Sequence, residues 1–187
     1  MRLILSISPS ENSGGALAPW QRTLLSAMVK KSRSREAFEL WKRFSKEKEV
    51  LFGNFRRVKG SPFHWRLTES AEGAATINGR QLQLEHFGRV EIALASKLLI
   101  LPAGSYQVSF QVDSATSGAS GIHWILTCLP AGRVLAEAPL NTRAGVGSFQ
   151  FQVQPDCEAE RLELKGLSQM YPAEVAASLS SLRLRKL

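Results

Sequence analysis

The sequence predicts a mainly β chain: an antiparallel, jelly-roll-like β-sandwich preceded by a short α-helical hairpin. Three observations carry that reading. The apolar period is close to 3.6 residues from Ala18 to about Lys48 and falls to 2 after Val50. Turn-forming residues punctuate the second part at short intervals. No helical pattern separates the alternating runs, which argues for an antiparallel sandwich and against a parallel α/β sheet.

Taken in order, residues 1–17 combine Ser, Gly, Asn and Pro without periodicity and read as a flexible lead-in. Residues 18–49 read as the helical hairpin. Trp20, Leu24, Leu25 and Met28 form one apolar stripe, and Ala37, Leu40, Trp41 and Phe44 a second, joined by the polar turn KKSRS. Two helices bury too little surface to be stable alone, so the hairpin must dock on something.

Residues 50–187 are assigned to the sandwich. Phe52 and Phe55 are expected to begin its first strand, and Pro62 ends the helix-compatible chain. Tyr106, Val108, Phe110 and Val112 alternate with Gln107, Ser109 and Gln111. Ile122, Trp124, Leu126 and Cys128 alternate with His123, Ile125 and Thr127. Phe149, Phe151 and Val153 alternate with Gln150, Gln152 and Gln154, and Leu182 and Leu184 with Arg183 and Arg185. Shorter runs at Gln81–Leu84 and Val90–Leu94, with Leu162 and Leu164, bring the expectation to seven to nine strands. Asn78-Gly79, Pro102-Ala103-Gly104, Pro130-Ala131-Gly132 and Lys165-Gly166 are among the turns between them.

Composition excludes several classes. Of 187 residues, 44% are apolar and 21% charged, so the chain is neither disordered nor fibrous. The net charge of +8 raises the question of nucleic acid. Much of it sits on the helical segment, where Lys30, Lys31, Arg33, Arg35, Lys42 and Arg43 mix with Glu36 and Glu39. Mixed charge of that kind marks a solvated helix face, and no base-reading or base-stacking motif occurs, so no nucleic-acid partner is expected. MRLILSISPS is a poor secretory signal, and no segment approaches a membrane span. The expectation is either a cytoplasmic protein or the tail of a longer, exported one.

Several residue groups recur in an order that resembles a known family. They are Asn54-Phe55, Pro62-Phe63-His64-Trp65, the run Leu101–Tyr106, Trp124 with Cys128, and Pro155-Asp156-Cys157. Together they resemble the carbohydrate-binding-module-like (galactose-binding-like) β-sandwich at the carboxyl end of bacterial tetratricopeptide-repeat proteins. The stripe Leu24, Met28, Ala37 and Trp41 resembles a terminal repeat of such an array, with Ser32 where these repeats usually carry Gly. That resemblance implies a galactose-binding-like jelly roll, an exported, periplasmic or envelope location with further repeats upstream, and no catalytic role. It also places Cys128 and Cys157 at matching positions, which implies a disulfide and an oxidising compartment. Two buried thiols are the alternative reading. Arg56 and His64 stand where relatives often carry carboxylates, so no calcium site is expected.

Other chemistry has little to stand on. His64, His86 and His123 are scattered and lack neighbours at metal-ligand spacing, so no metal or cofactor is expected. Glu69, Glu72, Glu85 and Glu91 form no evident acid–base pair, and no G-x-S-x-G elbow occurs, so no catalytic residues are assigned.

The aromatic residues of the alternating runs read as core. The opposite faces are more informative. Gln107, Gln111, His123, Gln150 and Gln152 are expected to form solvent-facing rows whose amides can donate to and accept from sugar hydroxyls. The expected function is non-catalytic recognition of a surface polysaccharide, such as an exopolysaccharide, or of an envelope protein partner in its export. The alternative is a structural cap and protein-docking domain of a helical-repeat protein. Exposed aromatic rings beside the Gln rows would favour the first; an apolar patch near Trp20 and Trp41 would favour the second.

Overall fold

The computed structural model describes residues 17–45, 55, 62–116, 121–140, 143–171 and 173–187. The expected lead-in, and the placement of Phe52 and Arg56, lie outside the described residues.

Two helices come first, α1 over Pro19–Lys30 and α2 over Ser34–Ser45. Pro19 opens α1 where a missing N–H costs nothing, and the Gln21 side chain accepts a hydrogen bond from the Ala18 amide at 2.8 Å. The helix ends in a Schellman arrangement: Arg33 N–H reaches Met28 C=O and Ser32 N–H reaches Val29 C=O, both at 3.0 Å. Ser32 takes φ 55°, the left-handed conformation usually given to glycine there. The turn is thus built as a glycine turn with serine in it.

Eleven strands follow among the described residues. In chain order they are β1 (Arg66–Leu67), β2 (Glu69–Ser70), β3 (Gly73–Asn78), β4 (Gln81–His86), β5 (Ile92–Leu99) and β6 (Gly104–Ala115). Then come β7 (Ile122–Leu129), β8 (Arg133–Pro139), β9 (Gly145–Val153), β10 (Ala159–Gly166) and β11 (Val175–Lys186). They form two antiparallel sheets, ordered β1-β5-β10-β7-β8 and β2-β3-β4-β11-β6-β9. Most connections pass from one sheet to the other, as in a jelly roll. Phe55 is not in a strand, contrary to the sequence expectation. It is nonetheless fully buried beside Trp65, so its apolar character served the core rather than a ladder.

The period of 2 translates directly into two faces. Tyr106, Val108, Phe110 and Val112 point inward from β6, against Trp124, Leu126 and Cys128 from β7 and Phe151 and Val153 from β9. Trp124 lies 5.4 Å from the Phe110 ring and Tyr106 stacks on Phe151 at 5.5 Å. One buried polar link spans the layers. His86 at the end of β4 sets its two ring nitrogens against the carbonyls of Glu72 and Leu167, at 3.3 and 3.0 Å. Gly166 makes room for it, since a Cβ there would sit 2.5 Å from the imidazole.

The hairpin is docked on the sandwich. Leu25, Ala37 and Trp41 join Phe63, Leu98 and Ala159 in a second apolar cluster outside the five-stranded sheet. Trp41 is fully buried between the rings of Phe38, Phe63 and His64, each with its centroid 5.7 Å away. A polar clasp adds to this. The Arg35 guanidinium donates to the carbonyls of Cys157 at 2.7 Å and Leu101 at 3.2 Å, while the Arg35 amide donates to Glu158 at 3.0 Å. Cys128 and Cys157 are joined in a disulfide with Cα atoms 5.5 Å apart, which ties the loop before β10 to β7 beneath that clasp.

Candidate functional site

The two sheets turn different chemistry outward. On the six-stranded sheet the side chains opposite the core residues of β6, β9 and β11 form a lattice of amides, hydroxyls and guanidiniums. Its rows follow from strand register. Gln150 on β9 faces Gln107 on β6, which faces Arg185 on β11. The next row is Ser148, Ser109 and Arg183; on the other side Gln152 faces Ser105. Cross-strand neighbours of this kind are about 5 Å apart, close enough for one ligand to touch several. Arg185 Nη2 donates to Gln107 Oε1 at 3.2 Å, which orients that amide.

Four of the five candidate residues therefore share one sheet. Gln107 and Gln150 are direct neighbours, and Gln152 lies one pair further along. Gln111 sits two residues beyond Ser109, opposite Val146 and Ser181; its amide donates to the Val112 carbonyl at 3.0 Å. His123 does not belong with them. It lies on β7, in the five-stranded sheet, and its Nδ1 is 2.7 Å from Glu137 Oε1. Alternation along the chain reports whether a side chain faces in or out, but not which sheet's outer surface it joins.

At the open edge of the sandwich, β8 and β9 frame a groove of about 650 Å³, lined by Arg133, Val134, Gln152, Gln154 and Asp156 among others. Arg133 and Asp156 of its lining form an ion pair at 3.0 Å. The hydrogen bond from Arg133 holds the Asp156 carboxyl below the ordinary range. Gln152 thus belongs to both the sheet face and the groove. Sequence reasoning missed the groove because it is made by two strands from different sheets, and it missed Arg185 as the partner of Gln107 and Arg183 as that of Ser109. Their alternation against Leu182 and Leu184 was the available signal.

Among the described residues no aromatic ring is exposed on this platform. Trp20 and Tyr171 are the exposed aromatics among the described residues; the first is on α1 and the second in the loop after β10. The exposed apolar residues beside the Gln rows are Val146, opposite Gln111, and Leu187, whose amide donates to the Ser105 carbonyl at 2.9 Å. On α1, exposed Trp20 and Leu24 continue into Ala27 along one side, and the Trp20 ring meets Phe44 of α2 edge-on at 5.6 Å.

No group of three or more His, Cys, Asp or Glu placed to hold a metal occurs among the described residues. No helix of the described residues is long and apolar enough to cross a membrane.

No family model matches the chain, and no curated protein matches it. Solved structures do resemble it. A CBM4 carbohydrate-binding module is 8% identical, with 67% of this chain and 88% of that one covered at a TM-score of 0.49. The TmCBM61 module in complex with β-1,4-galactotriose is 13% identical, covering 66% and 88% at 0.41. The Glycosylation Associate Protein (Gap123) complex from Streptococcus agalactiae is 10% identical, covering 73% of this chain and 44% of that one at 0.47. These are likenesses of the β-sandwich and assign no residue of this chain a role.

Proposed function

We propose that this chain is a non-catalytic recognition module that binds a saccharide on the outer face of its six-stranded sheet. The observation that carries the reading is the unbroken polar lattice in which Gln150, Gln107 and Arg185 form one row and Gln152 and Ser105 the next. Amides, hydroxyls and guanidiniums supply both donors and acceptors at neighbouring positions, as a ring of sugar hydroxyls requires. The groove between β8 and β9 extends the same surface through Gln152. Without a ring for a pyranose to stack on, binding depends on hydrogen bonds that compete with water. Each contributes about 0.5–1.5 kcal/mol net, so affinity for one module is weak. The hairpin, residues 18–49, serves to position the sandwich, residues 50–187, on whatever lies beside it. The disulfide fits an oxidising compartment such as the bacterial envelope.

A glycan array spanning neutral and acidic bacterial polysaccharides, read with the protein and with Gln107→Ala/Gln150→Ala, tests this. Signal that falls in the double variant supports the platform; signal indifferent to it removes the platform from the reading.

A second reading meets the criterion drawn from the sequence: no exposed ring accompanies the glutamine rows among the described residues, whereas α1 carries the exposed row Trp20, Leu24 and Ala27. Its helical spacing, and its continuity with the α1–α2 interface through the Trp20–Phe44 contact, fit a further helix laid against α1. The chain would then cap a helical array and dock on protein. An array silent for every glycan moves the function to that surface.

A further inference from the structure

One half of the polar lattice is cationic and contains no acid. Arg183 and Arg185 are both exposed and stand two residues apart on β11, opposite Ser109 and Gln107. That spacing puts their Cα atoms about 7 Å apart on the same face, and the lattice runs about 10 Å further across to β9. Around them the outward positions are Ser105, Gln107, Ser109, Ser148, Gln150 and Gln152, with exposed Leu187 beyond Arg185 beside Ser105. The acids of this sheet face lie toward β4. Glu85 pairs with Ala176, and Asp113 is engaged by Ser180 at 2.8 Å and Gln81 at 2.9 Å. Neither guanidinium has a carboxylate partner among the described residues, and Arg185 spends a single donor on Gln107. On the opposite sheet Lys165 pairs with Glu91, while the exposed Arg66 and Arg161 have no ion pair among the described residues; what sets Arg183 and Arg185 apart is that they stand together on one face beside the amides.

We propose that the saccharide taken by this face is acidic, its carboxylate or sulfate groups seated on Arg183 and Arg185 and its hydroxyls on Gln107 and Gln150. The inference rests on the saccharide reading above. Two planar guanidiniums left without a counter-ion beside a row of amides are matched by a ligand that carries anions and hydroxyls in alternation. The missing rings point the same way. Where stacking supplies nothing, charge-assisted hydrogen bonds, about twice as strong as neutral ones, are the source of affinity that the face does offer. A single-stranded nucleic acid, the other common polyanion, relies on aromatic platforms that this face lacks.

The probes are a trigalacturonate and its methyl ester, which share hydroxyls and differ in charge, with an oligothymidylate as a polyanion that has no sugar hydroxyls to offer. They are titrated calorimetrically against the full chain and against Arg183→Gln/Arg185→Gln. Both arginines are exposed, so the variant keeps its melting temperature. The acid is expected to bind about tenfold or more tighter than the ester, with an advantage that shrinks between about 50 and about 300 mM NaCl. In the variant the ratio of acid to ester affinity should fall to about one, whatever the change in the affinity for the ester itself. Equal binding of acid and ester, or an acid preference that survives in the variant, overturns the inference while the saccharide reading stands. So does failure of both probes on protein that binds a neutral glycan of the array. Oligothymidylate binding as tightly as the acid overturns it by showing a generic polyanion surface. Silence of every glycan overturns both readings.

Discussion

Replacing the buried Glu160 with glutamine should stabilise the protein at alkaline pH and change it by less than about 1 kcal/mol near pH 5. Glu160 lies on β10 with no solvent exposure, under the clasp that holds the hairpin. Its Oε2 accepts the Leu101 amide at 3.0 Å, whereas Oε1 is buried without a hydrogen-bond partner. Burial raises its pKa from 4.5 to about 7, against the opposing influence of the Leu101 amide and the Arg35 charge. The native state therefore keeps this proton between about pH 4.5 and 7, where the unfolded chain has lost it. Folding stability falls as pH rises through that window and levels off above it. At about 1.4 kcal/mol per unit, the loss has a ceiling of about 3 kcal/mol.

Glutamine retains the acceptor for Leu101 and cannot ionise. Urea unfolding of wild type and Glu160→Gln, followed by Trp fluorescence from pH 5 to pH 8.5, isolates this group, because other titrations cancel in the difference. The variant is expected to lie within about 1 kcal/mol of wild type at pH 5 and to exceed it by about 2–3 kcal/mol above pH 8. A variant destabilised by the same amount at every pH would refute the reasoning. It would mean that Glu160 is ionised throughout and is needed as the counter-charge of Arg35.

Three further outcomes follow from the packing. Trp41→Ala removes a fully buried ring from between Phe38 and Phe63 and should cost about 3–5 kcal/mol by denaturant titration; wild-type stability would mean that the hairpin is not welded to the sandwich. Replacing both Cys128 and Cys157 with serine opens a loop of sequence separation 29 and should cost about 3–4 kcal/mol, seen as a lower melting temperature. An unchanged transition would show the loop held by Arg35 and its neighbours instead. Ser32→Gly relieves a non-glycine residue at φ 55° and should raise stability by up to about 1 kcal/mol; a loss would mean that the serine hydroxyl contributes to the turn.

The sequence by itself determined what depends on neighbours along the chain. The change of apolar period marks where helix gives way to strand, because Cβ atoms recur every 3.6 residues on a helix and alternate on a strand. The same alternation places Trp124, Phe151 and Val108 inside and Gln107 and Gln150 outside. What only the tertiary structure decided is which outward rows meet. Gln107 finds Gln150 and Arg185 through pairings with strands some 40 and 80 residues away in sequence, and His123, with the same outward pattern, lies on the other sheet beside Glu137. Trp20 and Trp41 both belong to apolar helix stripes, yet one is 45% exposed and the other 0%, because the sandwich covers α2 whereas no described residue covers the Trp20 side of α1. Local periodicity encodes facing, whereas sheet membership, register and the charge of a surface arise from contacts between distant segments, which a single chain pattern does not carry.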